Sequence, residues 1–214
     1  MFKVLRHSHS TLVKTAVAVA MCSLVSTAAI PRGWQLMGNL PSAYECGMEA
    51  QGGHNGSPDA VLKARYAGVQ GFGALAQVFQ PGNYAGKRLR FRGYVKTEAL
   101  ENWAGLWMRI DRKSDEGVNT LAFDNMQKRP IRGTTDWREY DVVLDVPADA
   151  TGVYFGVQID GGGAVRLSDA RLEIVGADVS VTGETFPGGG IYAGPIQSKV
   201  RPLPDQSVNL DLRN

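Results

Sequence analysis

The sequence predicts an all-β protein, built as an antiparallel β-sandwich and followed by an extended C-terminal tail. The first observation is that residues 33 to 175 form short stretches in which apolar and polar side chains alternate. The second is that clusters of Gly, Pro, Asn and Asp separate these stretches, and no long stretch has a helical period. Alternation with a period of two is typical of strands that bury one face, and frequent turns are typical of sandwiches.

Eight stretches are predicted as strands because each offers one apolar and one polar face. In the fourth of them, Leu106, Met108 and Ile110 share the apolar face, and the even-numbered residues from 142 to 146 do the same later in the chain. Two sheets that pack such faces together form one common core. The predicted strands, in chain order, are Val61–Tyr66, Phe72–Gln80, Arg88–Lys96, Ala104–Asp111, Thr120–Phe123, Arg138–Val146, Gly152–Asp160 and Ala164–Val175.

Residues 1–29 are predicted to be a signal peptide that is removed on export. Lys3, Arg6 and Lys14 give this region positive charge without any acidic residue, and residues 15–30 are almost all apolar or small. The apolar stretch is shorter than the roughly 20 residues that a membrane-spanning helix needs. The sequence therefore predicts an exported protein, in the periplasm or outside the cell, with no membrane anchor after cleavage.

The predicted sandwich covers residues 30–180, and residues 181–214 are predicted to be an extended tail. The density of Gly and Pro beyond residue 180 is too high for a second core. The end of the tail, Ser207–Leu212, regains the composition of a strand. We expect this terminal strand to dock on the sandwich and to cover an open sheet edge beside the N-terminal strand.

The polar face of the strand Ala104–Asp111, together with Trp103 just before it, is the predicted ligand-binding surface. Trp103, Trp107 and Arg109 share this face, so that flat rings for stacking lie beside a directional hydrogen-bond donor. Two alternatives remain open. Trp107 could point into the core, as could Trp137, because large aromatic side chains are mostly buried. Arg109 could also pair with Asp111 across neighbouring strands.

The loop that follows the strand Thr120–Phe123 is predicted to complete this surface. It carries Asp124, Asn125 and Arg129, and binding residues tend to gather on loops that a rigid scaffold positions. Together the face and the loop would bind a carbohydrate or a peptide. In the alternative interpretation the same surface meets a protein partner, and the chain serves in assembly or as a scaffold.

The charge balance argues against a nucleic-acid partner. Of 23 basic residues three lie in the predicted signal peptide, which contains none of the 21 acidic residues. The remaining chain is nearly neutral, whereas proteins that bind nucleic acid present a basic surface.

Nucleophilic and metal-based catalysis also find little support in the sequence. Beyond the predicted signal peptide, His54 is the one histidine and Cys46 the one cysteine, so neither a zinc site nor an intramolecular disulfide can form. His54 lies in a Gly-rich stretch and is expected to be an exposed turn residue. Cys46 is expected to be a half-buried structural thiol.

A hydrolase that uses two carboxylates is a third possibility, which we rank below binding because acidic residues at strand ends commonly only contact solvent. The acidic residues available for such a pair are Asp111, Asp124, Asp141, Asp145 and Asp160.

The order of several motifs resembles jelly-roll domains of the carbohydrate-binding-module type. These motifs are Gly33-Trp34, Gly52 to Ser57, Gln77, Gly86 to Arg90, Asp136-Trp137 and Leu167 to Leu172. More narrowly, AGLWMRID at 104–111, FDNMQ at 123–127 and RPIRGT at 129–134 resemble an uncharacterised bacterial domain found in exported proteins or attached to transcription regulators. The resemblance implies a jelly-roll fold and no particular activity. No cofactor is expected, although Asp169 could help to hold a structural calcium ion, as carboxylates in such sandwiches do.

Overall fold

A computed structural model describes residues 30–114, 117–191 and 202–213, and the predicted signal peptide lies outside them. The described residues form strands, short 3-10 turns and loops, without an α-helix. The strands are β1 (Gln35–Gly38), β2 (Tyr44–Glu49), β3 (Asp59–Ala64), β4 (Phe72–Phe79), β5 (Lys87–Glu98), β6 (Trp103–Ser114), β7 (Gly117–Asp124), β8 (Thr135–Val146), β9 (Gly152–Asp160), β10 (Ala164–Val175) and β11 (Glu184–Ile191).

These strands form two antiparallel sheets packed face to face, so the predicted all-β antiparallel sandwich is confirmed. The six-stranded sheet has the order β1-β4-β9-β6-β7-β11, and the five-stranded sheet has the order β2-β3-β10-β5-β8. The predicted core side chains Leu106, Met108 and Ile110 are fully buried between the sheets, together with Val142 and Leu144. No helix in the described part of the chain has the length and apolarity to cross a membrane.

The sandwich continues past residue 180, into the stretch predicted as an extended tail. β11 pairs antiparallel with β7, and its register shifts between Thr185 and Gly190. The strand has the sequence ETFPGGGI, which contains a proline and three glycines. Such a strand is tolerated at a sheet edge, where one side of the backbone needs no partner, but its composition predicts a loop.

Residues 202–213 lie against the sandwich without forming a strand, where the sequence predicts a terminal strand. The backbone of Val208 exchanges two hydrogen bonds with the Gln77 side chain, and the Trp34 indole donates to the Asn209 carbonyl oxygen over 3.1 Å. Leu212 inserts into the core between the sheets. The Gln77 side chain on β4 and the Trp34 indole just before β1 therefore satisfy backbone groups that a sheet ladder would otherwise pair.

The outer face of the five-stranded sheet is a ladder of ion pairs. Glu173 on β10 lies between Arg90 and Arg92 on β5, with N–O distances of 2.6 and 2.7 Å, and Arg88 pairs with Asp145 on β8. Hydrogen bonds from Arg90 and then from Arg92 lower the pKa of the Glu173 carboxyl. These charged groups of the outer face therefore pair with one another.

Candidate functional site

The outer face of the six-stranded sheet is aromatic and polar, with few charges. Trp103, Trp107 and Arg109 point away from the core, as the alternation along β6 predicts, whereas Leu106 and Met108 point into it. Trp107 is nevertheless only 3% exposed. Its ring packs on this outer face in a second apolar cluster, and Gly156 stands opposite it on β9. The other buried members of that cluster are Ala74, Ala76 and Tyr154.

Small residues on neighbouring strands create the space in which the Trp107 indole lies. Ala74 and Ala76 are on β4, two strands away, and Gly156 lies between them and Trp107. A methyl group added at Gly156 would come within 2.1 Å of the Leu75 carbonyl oxygen, so this position has no room for a side chain. The neighbouring backbones therefore form a shallow seat for one large ring.

An open cleft of about 620 Å³ lies above this seat. Five strands and the β7–β8 loop contribute to it, and they bring together aromatic, amide and small side chains. The residues that line this first cleft are Met37, Gly38, Phe72, Ala74, Trp103, Trp107, Phe123, Asn125, Gln127, Gln158 and Asp160.

Two polar groups of the first cleft have no hydrogen-bond partner in the described part of the chain. The Gln158 side chain is only 6% exposed, and its amide makes no hydrogen bond to a described residue. The buried Trp107 Nε1–H has no acceptor there either. The buried indole N–H without an acceptor costs about 1–3 kcal/mol. Trp107 and Gln158 both line the first cleft, so a bound molecule can offer hydrogen-bond partners to both.

The loop after β7 forms one wall of the cleft, and hydrogen bonds within it fix its shape. Asp124 Oδ1 accepts from the Met126 backbone N–H over 2.8 Å, and the Asn125 side chain accepts from the Gln127 backbone N–H over 3.1 Å. Met126 has a positive φ of 62° and is buried. Its sulfur accepts from the Leu106 backbone N–H, which ties the loop to β6. The half-buried Asn125 side chain and the exposed Gln127 side chain are thus held at the rim.

A second cleft of about 600 Å³ lies on the other side of this rim. It contains two ion pairs: Arg129 to Asp124 at 2.8 Å, and Lys128 to Glu184 at 2.5 Å. The residues that line the second cleft are Phe123, Asp124, Asn125, Gln127, Lys128, Arg129, Thr182, Gly183 and Glu184.

Arg109 lines neither cleft, although the sequence predicts it as a ligand contact. Its guanidinium is buried, pairs with Asp111 Oδ2 over 2.7 Å, and lies 4.4 Å from the centre of the Tyr154 ring. Thr120 donates to the other carboxylate oxygen of Asp111, whose pKa is raised by burial. The predicted pairing occurs within one strand, not across neighbouring strands. Arg109 thus supports the face from within instead of reaching the cleft.

The remaining candidates from the sequence lie elsewhere in the fold. The His54 ring is partly buried, not an exposed turn residue, because it stacks on Tyr94 at a centroid distance of 3.6 Å. Its Nδ1 lies 3.4 Å from Asp169 Oδ2. Among the described residues, no three acidic, histidine or cysteine side chains are grouped to hold a metal ion. Cys46 is half-buried, and burial raises the pKa of its thiol.

Four of the five acidic side chains considered for hydrolysis have partners of their own. Asp111 pairs with Arg109, and Asp124 pairs with Arg129. Asp145 pairs with Arg88 on the five-stranded sheet. Of the five, only Asp160 lines the first cleft, and it accepts a hydrogen bond from the Asn102 amide over 2.9 Å.

Sequence comparison relates the chain to a bacterial regulator. It is 39% identical over 158 residues to an uncharacterised HTH-type transcriptional regulator, YbfP, of Bacillus subtilis (strain 168). The aligned segment is 73% of this chain and 52% of the regulator, so the chain spans about half the length of the curated relative it matches. No protein-family profile matches the chain.

Comparison with solved structures finds carbohydrate-binding modules, the class that the sequence motifs resemble. One is a Clostridium thermocellum xylanase fragment with CBM22-1 and GH10 modules in complex with xylohexaose, at 13% identity and a TM-score of 0.49 over 69% of this chain and 27% of that one. Another is the CBM22-1 xylan-binding domain of Paenibacillus barcinonensis Xyn10C, at 15% identity and a TM-score of 0.48 over 68% and 87%. Likenesses at this level assign no ligand.

Proposed function

We propose that the chain is a non-catalytic module that binds a neutral carbohydrate in the first cleft. The observation that carries this proposal is the open cleft, where the Gln158 amide makes no hydrogen bond to a described residue and the buried Trp107 indole N–H has no acceptor. An amide offers donors and an acceptor together, as sugar hydroxyls do, so the two groups can satisfy each other. A bound sugar would give this amide partners and would offer an acceptor to the indole N–H, whose burial without a partner is unfavourable.

The rest of the cleft favours the same ligand class. Trp103 is half-buried at its edge, where one face of the ring can stack on the apolar face of a sugar. Asn125 and Gln127 add two further amides at the rim. No lysine, arginine or histidine is among the described residues that line this cleft. A ligand with several negative charges would find no counter-charge there.

The cleft is better suited to binding than to hydrolysis. A glycosidase places two carboxyl groups roughly 5 to 9.5 Å apart on either side of the scissile bond. Asp160 is the one carboxylate among the described residues that line the first cleft, and Asn102 already occupies one of its oxygens.

The regulator relative fits this interpretation. Its name indicates helix-turn-helix DNA binding, whereas the described part of this chain has no α-helix. A ligand-binding sandwich attached to such helices is consistent with the name of that regulator.

The test is a glycan and peptide array probed with the wild type and two variants. Gln158→Leu should fold and lose binding, and Trp103→Ala should weaken binding by about tenfold or more because it removes a stacking surface. Trp137→Ala is the matched control, since Trp137 is also half-buried but lies on β8 of the other sheet. Array ligands that are peptides only would contradict the carbohydrate assignment, and a co-purifying protein without any array ligand would favour an assembly role.

We also propose that the chain is exported and that residues 1–29 are removed. The support is the composition of that segment, with its early positive charges and its apolar stretch. Expression of the full chain followed by cell fractionation and N-terminal sequencing tests this. Export predicts a shortened protein outside the cytoplasm, whereas an intact N-terminus on a cytoplasmic protein would contradict it.

A further inference from the structure

We infer that the ligand is an oligosaccharide whose adjoining unit occupies the second cleft, so that Asn125 and Gln127 contact two successive units. This inference rests on the proposed function, because it extends the same ligand across the rim. It adds a prediction that a single-site module does not make: the affinity rises with the number of sugar units, and residues of the second cleft account for the rise.

The two clefts are neighbours that share a wall. Phe123, Asn125 and Gln127 line both of them, so each of these side chains faces ligand space on two sides. Two open spaces of about 620 and 600 Å³ therefore meet along one rim. A rigid polymer of repeating units matches such an arrangement better than one compact small molecule does.

The shared rim is fixed before any ligand binds. The Arg129 backbone N–H donates to the Met126 carbonyl oxygen over 2.8 Å, which closes the loop, and the Met126 side chain is anchored in the core. The Arg129 guanidinium also donates to the Asp141 carbonyl oxygen on β8. Because these contacts hold the loop from both sides, binding costs little additional ordering there.

The second cleft differs from the first in its chemistry. Lys128 and Glu184 face each other across it with side chains that are 83% and 59% exposed. Such solvated groups can donate to and accept from hydroxyls while they stay paired, whereas a fully buried pair could not. We therefore assign the second cleft to a further hydroxylated unit that contacts this pair.

The experiment measures the affinity of the full chain for mono- and disaccharides of one series that the array identifies, by titration calorimetry. In the wild type the disaccharide should bind about tenfold more tightly than the monosaccharide. The double variant Lys128→Ala/Glu184→Ala should remove most of this gain and leave monosaccharide affinity unchanged. Its matched control is Lys96→Ala/Asp136→Ala, which removes an exposed ion pair from the five-stranded sheet.

Each outcome separates this inference from the proposed function. Equal affinity for both lengths in the wild type would overturn the second subsite and leave the first cleft intact as a binding site. A length-dependent gain that survives in the double variant would also overturn it, because other residues would then hold the adjoining unit. Absence of binding to any saccharide of any length would overturn the proposed function itself. Thermal melting of both double variants checks that each is folded.

Discussion

The outer faces of the two sheets differ in whether their polar side chains have partners within the protein. On the five-stranded sheet, Arg88, Arg90 and Arg92 each have a carboxylate partner, so their polar groups are satisfied by one another. On the six-stranded sheet, the cleft around Trp107 leaves an indole N–H and an amide unpaired within the described residues. On the first face these three arginines and their carboxylate partners neutralise one another, whereas on the second face the two unpaired groups line a cleft that is open to a further molecule. We therefore take these unpaired groups, and not the number of charges, as the guide to the proposed binding site.

Replacing Trp107 by alanine should give the largest effect and tests how firmly the binding face is built. Its buried ring fills the seat made by Ala74, Ala76 and Gly156, so its loss should lower the free energy of unfolding by about 3–5 kcal/mol. Urea unfolding followed by tyrosine fluorescence or circular dichroism measures this. The control is Trp137→Ala, which should cost clearly less because that ring is only half-buried. Equal losses of unfolding free energy in the two variants would contradict the prediction that Trp107 is the more deeply packed ring.

Replacing Leu212 by alanine tests whether the C-terminal segment stabilises one sheet in particular. Leu212 is buried in the core, and its truncation should cost about 2–5 kcal/mol. The segment contacts Gln77 on β4 and Gln80 directly after it. Backbone hydrogen exchange should therefore become faster first in β4 and in its neighbour β9. Faster exchange confined to β8 in the other sheet would contradict this prediction.

Gln158→Leu should abolish binding and leave the stability of the fold nearly unchanged. The change replaces an amide that lines the open cleft and makes no hydrogen bond to a described residue by an apolar side chain of similar size, and we expect the free energy of unfolding to change by about 1 kcal/mol or less. The control is Gln77→Leu, at an equally buried amide on β4 whose two hydrogen bonds to Val208 would be lost. That variant should be destabilised. Thermal melting of both variants tests this. If Gln158→Leu were destabilised as much as Gln77→Leu, the assignment of Gln158 as a cleft residue without a partner in the protein would be refuted.

The sequence predicts much of the fold because it records which side of each strand is buried. The alternation along β6 correctly places Trp103, Trp107 and Arg109 on the face away from the core. It does not predict β11, because Pro187 and the glycines that follow it indicate a loop, and only pairing with β7 makes them a strand.

The candidate site is less predictable because it depends on residues that are distant in sequence. The burial of Trp107 follows from alanines on β4 and a glycine on β9, which no pattern within β6 reveals. Gln158 could have been found, since it lies on the polar face of its strand, but only the structure shows that its amide lacks a partner. Arg109 looks like a ligand contact in sequence, and only its pairing with Asp111 removes it from the cleft.

Glu173→Gln, on the outer face of the five-stranded sheet, should have the smallest effect on stability, and this effect should depend on pH in a distinctive way. Arg90 and Arg92 lower the pKa of this carboxyl below its ordinary value of 4.5, so the folded state favours the ionised form. The contribution to stability is therefore present above the unfolded pKa and is lost as the pH falls through the lower folded pKa. At neutral pH the variant should lose about 1 kcal/mol or less. Urea unfolding between pH 7 and pH 3 should show the difference from wild type vanish in acid, and high salt should reduce it at neutral pH. A difference that persists unchanged at pH 3 would mean that Glu173 acts through packing, and the two faces would then differ less than their ion pairs suggest.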